Sequence, residues 1–208
     1  MSIVFPNLAL FCQELEQKFD QILPSRKQQL LVLSAYLSTQ IQEKKTPSIT
    51  VICTHNSRRS HLAQIWLAIA ADYYQTPTIK TFSGGTEVSA FNPRMVAALQ
   101  QIGLKITTKD LGTNPIYEVY WNDQMAPYLA FSKHYMNAPN PQKNFAAVLV
   151  CGHADTNCPI VTGCTLRLAL PYKDPKAFDD TNIEVAEYGN TCALIGLEML
   201  FVLKQLQH

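Results

Sequence analysis

The spacing of apolar residues predicts a strand followed by a helix between residues 48 and 74. Residues 48–52 are β-branched or small and are followed by Cys53, a pattern typical of a short buried strand. From residue 62 to residue 74 the apolar residues recur at helical spacing instead. Residues 53–60 are therefore predicted to form a strand-to-helix turn.

The same alternation continues after this turn. Residues 78–82 are predicted to form a second strand, ended by Ser83-Gly84-Gly85. Asn92-Pro93 has the features of a helix start, and Gly103 those of a helix stop. Strand, helix, strand and helix in this order predict a parallel sheet with right-handed crossovers.

The second half of the chain gives a less regular pattern. Alternating apolar residues indicate a strand near residues 117–121, and the polar, proline-containing residues 137–144 are typical of a surface loop. Residues 145–150 again form a buried-strand pattern, which ends at Cys151. Residues 183–206 predict a final helix that closes the domain.

The first 46 residues are predicted to be a helical addition in front of an α/β domain at residues 47–208. Two amphipathic segments separated by Pro24-Ser25 predict a helical hairpin. Their apolar residues are Leu8, Leu10, Phe11, Leu15, Phe19, Ile22 and Leu23, followed by Leu30, Leu31, Leu33, Leu37 and Ile41. We expect this hairpin to pack on the domain or on a second copy of the protein.

Composition narrows the functional classes. The 208 residues are 47% hydrophobic, enough for one domain with an appendage, and the net charge of +1 disfavours a broad nucleic-acid surface. No stretch of 18 apolar residues or signal-peptide pattern is present, so we expect a cytoplasmic protein without a membrane partner. In a reducing compartment, the six cysteines indicate metal ligation or redox chemistry rather than structural disulfides.

The predicted turn has the properties of an anion site. Backbone N–H groups of such a turn point inward, and a helix start adds a positive dipole end. Cationic neighbours in this position favour the thiolate form of a cysteine. Arg59, six residues after Cys53, has a planar guanidinium that binds two oxygens of a tetrahedral anion. The residues predicted to bind the anion are Thr54, His55, Asn56, Ser57, Arg58, Arg59 and Ser60.

The Cys-x5-Arg-Ser pattern after a first strand resembles the phosphate loop of the low-molecular-weight protein tyrosine phosphatase family, which includes the thioredoxin-coupled arsenate reductases. Ser-Gly-Gly after the second strand and Asn-Pro before the next helix resemble the same family, and residues 129–131 resemble its third strand. The resemblance implies a three-layer α/β fold with a four-stranded parallel sheet. His55 stands where the family usually has Gly, and Arg58 where it often has Cys, so the loop or its anion preference is expected to differ.

A second motif, residues 151–159, resembles the redox segment of those arsenate reductases. The resemblance implies that Cys53 attacks arsenate, Cys151 then attacks Cys53 and releases arsenite, and Cys158 takes over the disulfide for reduction by thioredoxin or a similar dithiol. Two alternatives remain open at this stage. One is a structural zinc, with ligands from Cys151, His153, Cys158 and Cys164. The other is that Cys151 and Cys158 are a plain pair of buried core cysteines.

The Asp-Pro pair at residues 174–175 resembles the general-acid motif of the family. The resemblance implies that Asp174 protonates the leaving group, with Asp179 or Asp180 as the alternatives. Lys176 and Ala177 follow where the tyrosine phosphatases usually have aromatic residues, which favours a small inorganic anion over phosphotyrosine.

The sequence thus predicts an enzyme without a cofactor that reduces arsenate through Cys53, Cys151 and Cys158. The first alternative is a phosphatase that hydrolyses phosphate monoesters through Cys53. The second, of another class, is an oxyanion-binding or partner-binding module without turnover.

Overall fold

The computed structural model describes residues 4–110, 112–152 and 160–207. In the described ranges the helices are α1 Pro6–Glu16, α2 Pro24–Gln42, α3 Arg59–Tyr73, α4 Pro93–Gln101 and α5 Glu184–Lys204, with 3-10 turns at Phe19–Gln21, Pro175–Phe178 and Gln205–Gln207. The strands are β1 Ser48–Cys53, β2 Lys80–Gly85, β3 Lys105–Thr108, β4 Tyr117–Tyr120, β5 Tyr128–Ala130, β6 Phe145–Leu149 and β7 Cys164–Ala169.

A four-stranded parallel sheet in the order β2-β1-β6-β7 forms the centre of the fold. Ile49 and Val51 of β1 pack into the core shared with the helices, whereas Ile52 packs on the other face with Tyr135 and Val161. The sheet is therefore the middle of three layers, which confirms the predicted α/β fold class. Both inner strands, β1 and β6, end at the same edge, as parallel strands must.

Two predictions about the strands need correction. Residues 129–131 do not supply a third parallel strand, because β5 pairs antiparallel with β4, and β4 with β3, in a separate three-stranded sheet. The strand beside β1 is β6 instead. β2 also starts later than predicted and continues through Gly85, because the glycine backbone still pairs with β1.

The predicted N-terminal helices are present and pack on the same core as the sheet. Leu8 and Cys12 of α1 and Leu30, Leu33 and Leu37 of α2 are wholly buried. The Ser34 hydroxyl donates to the Val202 carbonyl of α5 at 3.0 Å. Three of the predicted apolar positions are exposed, namely Leu10, Leu23 and Leu31. The division of the chain near residue 46 stays a prediction.

Helix α5 is long and apolar enough to cross a membrane by length and composition alone. It packs instead against α1, α2, α3 and α4, and most of its apolar side chains are buried. Gly196 permits a close contact with α3, because a Cβ there would overlap the Trp66 indole. The helix therefore has the surroundings of a core helix, and its composition is weak evidence for a membrane.

Candidate active site

Cys53 ends β1 at the carboxyl edge of the parallel sheet, and α3 begins at Arg59. The Cys53 thiol is free and almost buried, and its Sγ lies 3.0 Å from the Ser60 hydroxyl. A hydroxyl at this distance can donate to a thiolate and stabilise its charge. Cys53 and the loop residue Ser60 are thus in contact in the structure.

The loop between β1 and α3 turns its carbonyl groups outward. The Cys53 and Thr54 carbonyls accept from the backbone N–H groups of Thr86 and Glu87, and the Ser57 carbonyl accepts from that of Asn92. Because the C=O and N–H of a trans peptide point in opposite directions, the N–H groups of the following residues face the hollow of the loop. Inward N–H groups at a helix start bind anions.

Asn56 is the residue that fixes the shape of this loop. Its φ of 43° is in the left-handed region, which asparagine tolerates better than most residues. The buried side chain donates to the Ser60 and Ser83 hydroxyls and accepts from the Lys133 N–H, each at 2.9 Å. His55, at the position where the family usually has glycine, is not among the residues with positive φ.

Beneath the loop lie two buried basic side chains that the sequence did not single out. His61 stacks on Phe91 and its Nδ1 lies 3.4 Å from the Ser83 hydroxyl. Burial, with a smaller contribution from the Lys133 charge, holds the pKa of His61 well below its usual value. Burial also lowers the pKa of Lys133 to about 8. His61 is therefore neutral at pH 7, so it supports the loop by packing and hydrogen bonding rather than by charge.

Arg59 connects the loop to the segment that follows β7. Its Nη1 donates to the Tyr172 carbonyl at 2.8 Å, and its Nη2 contacts the Asp174 carboxylate at 2.6 Å. The side chain is 12% exposed. A largely buried guanidinium in this position is oriented before any anion binds, which lowers the cost of binding.

Of the three candidate acids, Asp174 is the one in contact with Arg59. It also caps the Pro175–Phe178 turn by accepting from the Lys176 N–H. Asp179 instead accepts from Arg58 and Tyr188, while Asp180 is largely exposed and pairs with Arg94. Asp174 is therefore the candidate that Arg59 holds, and its role as the acid stays a prediction.

Two loop residues predicted to bind the anion direct their side chains elsewhere. The Arg58 Nε donates to the Tyr188 hydroxyl at 2.7 Å, and its Nη2 lies 3.2 Å from Asp179. His55 is exposed and its Nε2 lies 3.2 Å from the Glu87 carboxylate. Both residues contribute their backbone to the loop. Anion binding by their side chains stays a prediction.

Cys151 follows β6, the strand beside β1, and its thiol is free and almost buried. Its Sγ lies 3.4 Å from the hydroxyl of Thr54, and Thr54 is the residue that follows Cys53. Cys158 and His153 lie outside the described residues. Cys164 begins β7 and its thiol donates to the Val161 carbonyl. The described part of the chain holds no group of three or more His, Cys, Asp or Glu that could bind a metal.

Comparison with known proteins identifies the class. No family model matches the chain. The "Arsenate reductase 2" of Staphylococcus haemolyticus is 30% identical over 134 residues, 64% of this chain and 80% of the relative. The arsenate reductase of Staphylococcus aureus is 31% identical over 135 residues, 64% and 79% of the two chains. The crystal structure of a YwlE mutant from Bacillus subtilis superposes with a TM-score of 0.50 at 13% identity, covering 78% of this chain and all of that one.

The arsenate reductase relatives show that the chain is a cysteine-based enzyme. The chain belongs to the arsenate reductases of the low-molecular-weight tyrosine phosphatase-like family. The predicted family and the prediction of an enzyme are both confirmed, so a binding module without turnover is disfavoured. The likeness to the YwlE structure shows the shared fold alone.

Proposed function

We propose that the protein reduces arsenate to arsenite through Cys53, Cys151 and Cys158, with thioredoxin or a similar dithiol as the reductant. The observation that carries this proposal is the contact between Cys151 and Thr54 at 3.4 Å, which brings a second thiol to the mouth of the anion loop. A phosphate monoester hydrolase needs only one thiol there. A reductase needs two.

The register of the sheet supports a disulfide between the first two thiols. Ile52 lies opposite Leu149, so Cys151 stands one residue beyond the position level with Cys53. Adjacent strands about 4.8 Å apart and a rise of about 3.3 Å per residue give a Cα separation of about 6 Å. That separation is within the Cα range of disulfides, and a bond also requires the two Cβ atoms to face each other.

The proposed reaction balances as a two-electron reduction. The Cys53 thiolate forms a bond to arsenic, and an arsenate oxygen leaves as water after Asp174 protonates it, while Arg59 and the loop amides hold the remaining oxygens. The Cys151 thiolate then attacks Cys53 Sγ. The sulfur–arsenic bond breaks with its electron pair on arsenic, which gives arsenite and a disulfide. Cys158 attacks Cys151 and frees Cys53, and an external dithiol reduces the second disulfide.

Hydrolysis of a phosphate monoester is the second candidate. It is favoured by the grouping of Cys53, Ser60, Arg59 and Asp174, which is sufficient for a phosphocysteine mechanism without any other thiol. The exposed Lys176 and Ala177 after Asp174 offer no aromatic surface for a phenyl ring, which disfavours phosphotyrosine.

Steady-state turnover distinguishes the two functions. Arsenate and an aryl phosphate are each assayed with a thioredoxin system, using wild type, Cys158→Ala and, as a matched control, Cys192→Ala, a buried cysteine of α5. We expect thioredoxin-dependent arsenate reduction that is lost in Cys158→Ala and kept in the control. The phosphatase would be favoured by two results together: the wild type does not reduce arsenate, and Cys158→Ala still hydrolyses the aryl phosphate.

A further inference from the structure

A buried cluster connects the N-terminal helices to the segment that carries Asp174. Arg26 of α2 binds Glu198 of α5 through two hydrogen bonds, Nε to Oε1 and Nη2 to Oε2, each at 2.8 Å. The Tyr172 hydroxyl donates to the same carboxylate at 2.5 Å. The Arg26 guanidinium also lies over the Tyr172 ring, 4.9 Å from its centroid, and its Nη2 is 3.4 Å from the Pro171 carbonyl.

The backbone of Tyr172 has a second role. Its carbonyl accepts from Arg59, whose other nitrogen contacts Asp174 two residues later. The short segment 171–174 is therefore held on one side by Arg26 and Glu198 and on the other side by Arg59. Arg26 lies 145 positions before Pro171, so this contact joins distant parts of the chain.

We propose that Arg26 is a positioning residue for the active site. It holds the Tyr172 side chain against Glu198, and thereby places the Tyr172 carbonyl and the Asp174 carboxylate where Arg59 binds both. This inference rests on the proposed oxyanion chemistry and gives the N-terminal helices a part in it.

The burial and charges of the cluster support a persistent contact. The side chains of Arg26 and Glu198 are 16% and 6% exposed, so water does not compete strongly for either. Burial alone would lower the pKa of Arg26, but its interactions with Glu198 and Tyr172 together raise that pKa overall. Burial, with the Glu198 charge, also holds the pKa of Tyr172 well above its usual value. Arg26 stays charged and Tyr172 stays a donor across the working pH range.

The alternative is that the cluster only docks α2 on α5. The two roles predict different kinetics. Loss of a docking contact lowers stability and leaves the site unchanged in the folded fraction. Loss of a positioning contact changes proton donation, which matters more when the departing group is a poor one. Phenol is a poorer leaving group than p-nitrophenol, so the ratio of turnover on phenyl phosphate to turnover on p-nitrophenyl phosphate reports the position of Asp174.

The test uses the full chain with Arg26→Gln and Arg26→Lys. The matched control is Lys27→Gln, because Lys27 is the next residue of α2 and lies over the Phe201 ring rather than Tyr172. For each we measure the affinity for inorganic phosphate by calorimetry and the turnover ratio for the two esters. We expect Arg26→Gln to weaken phosphate binding and to lower the ratio, each by about tenfold, because small displacements of catalytic groups have effects of this size or larger. Arg26→Lys should restore part of both, and the control should match wild type.

Unchanged phosphate affinity and an unchanged ratio in Arg26→Gln, with only a lower melting temperature, would overturn the proposal. If Arg26→Gln does not fold, Tyr172→Phe removes only the hydroxyl bonded to Glu198 and is judged by the same two measurements. A wild type that binds phosphate but turns over neither arsenate nor ester would refute the proposed function. In that case the phosphate affinities of the variants would still decide the role of Arg26.

Discussion

The strongest stability prediction concerns Asn56, because its buried side chain makes three hydrogen bonds in and around the anion loop. Asn56→Ala removes hydrogen bonds to the Ser60 and Ser83 hydroxyls and to the Lys133 N–H. The two hydroxyls keep other partners, Cys53 and His61, so each loss costs about 1 kcal/mol.

The Lys133 N–H is left buried without its acceptor, which adds about 2 kcal/mol. An alanine at a φ of 43° adds about 1 kcal/mol. The sum is about 5 kcal/mol, a large part of the 5–15 kcal/mol typical of a domain.

Urea denaturation under reducing conditions measures this loss. Asn56→Gly has the same hydrogen-bond deficit but adopts positive φ without strain, so it should be less destabilised than Asn56→Ala by about 1 kcal/mol. The control is Asn190→Ala, an exposed residue whose side chain donates to Glu187 one turn away, with an expected change below about 0.5 kcal/mol. If both Asn56 variants remained within about 1 kcal/mol of wild type, Asn56 would not hold the loop as we infer.

Three further predictions follow from the site. Burial lowers the pKa of Lys133 from 10.5 to about 8, so the folded protein loses this proton at a lower pH than the unfolded chain. As pH rises from 8 to 10.5, the unfolding free energy of wild type should therefore increase by about 3 kcal/mol relative to that of Lys133→Met. A difference between the two proteins that stays constant with pH would contradict this. Gly85→Ala should lower kcat/KM at least about tenfold, because its Cβ would overlap the Thr54 carbonyl, whereas Gly189→Ala, with open space around it, should leave kcat/KM unchanged. Asp174→Asn should lower turnover about 100-fold and keep phosphate binding within a few-fold by calorimetry; equal turnover would exclude it as the acid.

The parts of the fold that were predictable from sequence depend on local chemistry. The β-branched or small residues at 48–52 and the helical spacing from residue 62 to residue 74 locate β1 and α3 within a few positions. Asn92 accepts from the Arg94 N–H and Pro93 begins α4, as their residue types predict. These signals need no information about the rest of the chain.

The parts that were not predictable depend on pairing between distant segments. β5 is only three residues long, and its place in the antiparallel sheet is set by its pairing with β4 and by the Tyr128 hydroxyl, which donates to the Thr81 carbonyl. Residue type alone did not reveal Lys133 beneath the loop, nor the tie between Arg26 and Tyr172. The direction of the Arg58 side chain depends on Tyr188, 130 positions later.

The central claim is that two thiols reduce one arsenate at the mouth of the loop, and a single-turnover experiment tests it most directly. Cys158→Ala, fully reduced and freed of external thiol, is mixed with excess arsenate, and the products are analysed by arsenite quantification and peptide mass spectrometry. We predict one arsenite and one disulfide between Cys53 and Cys151 per chain. Absence of arsenite, with both thiols still free, would contradict the account.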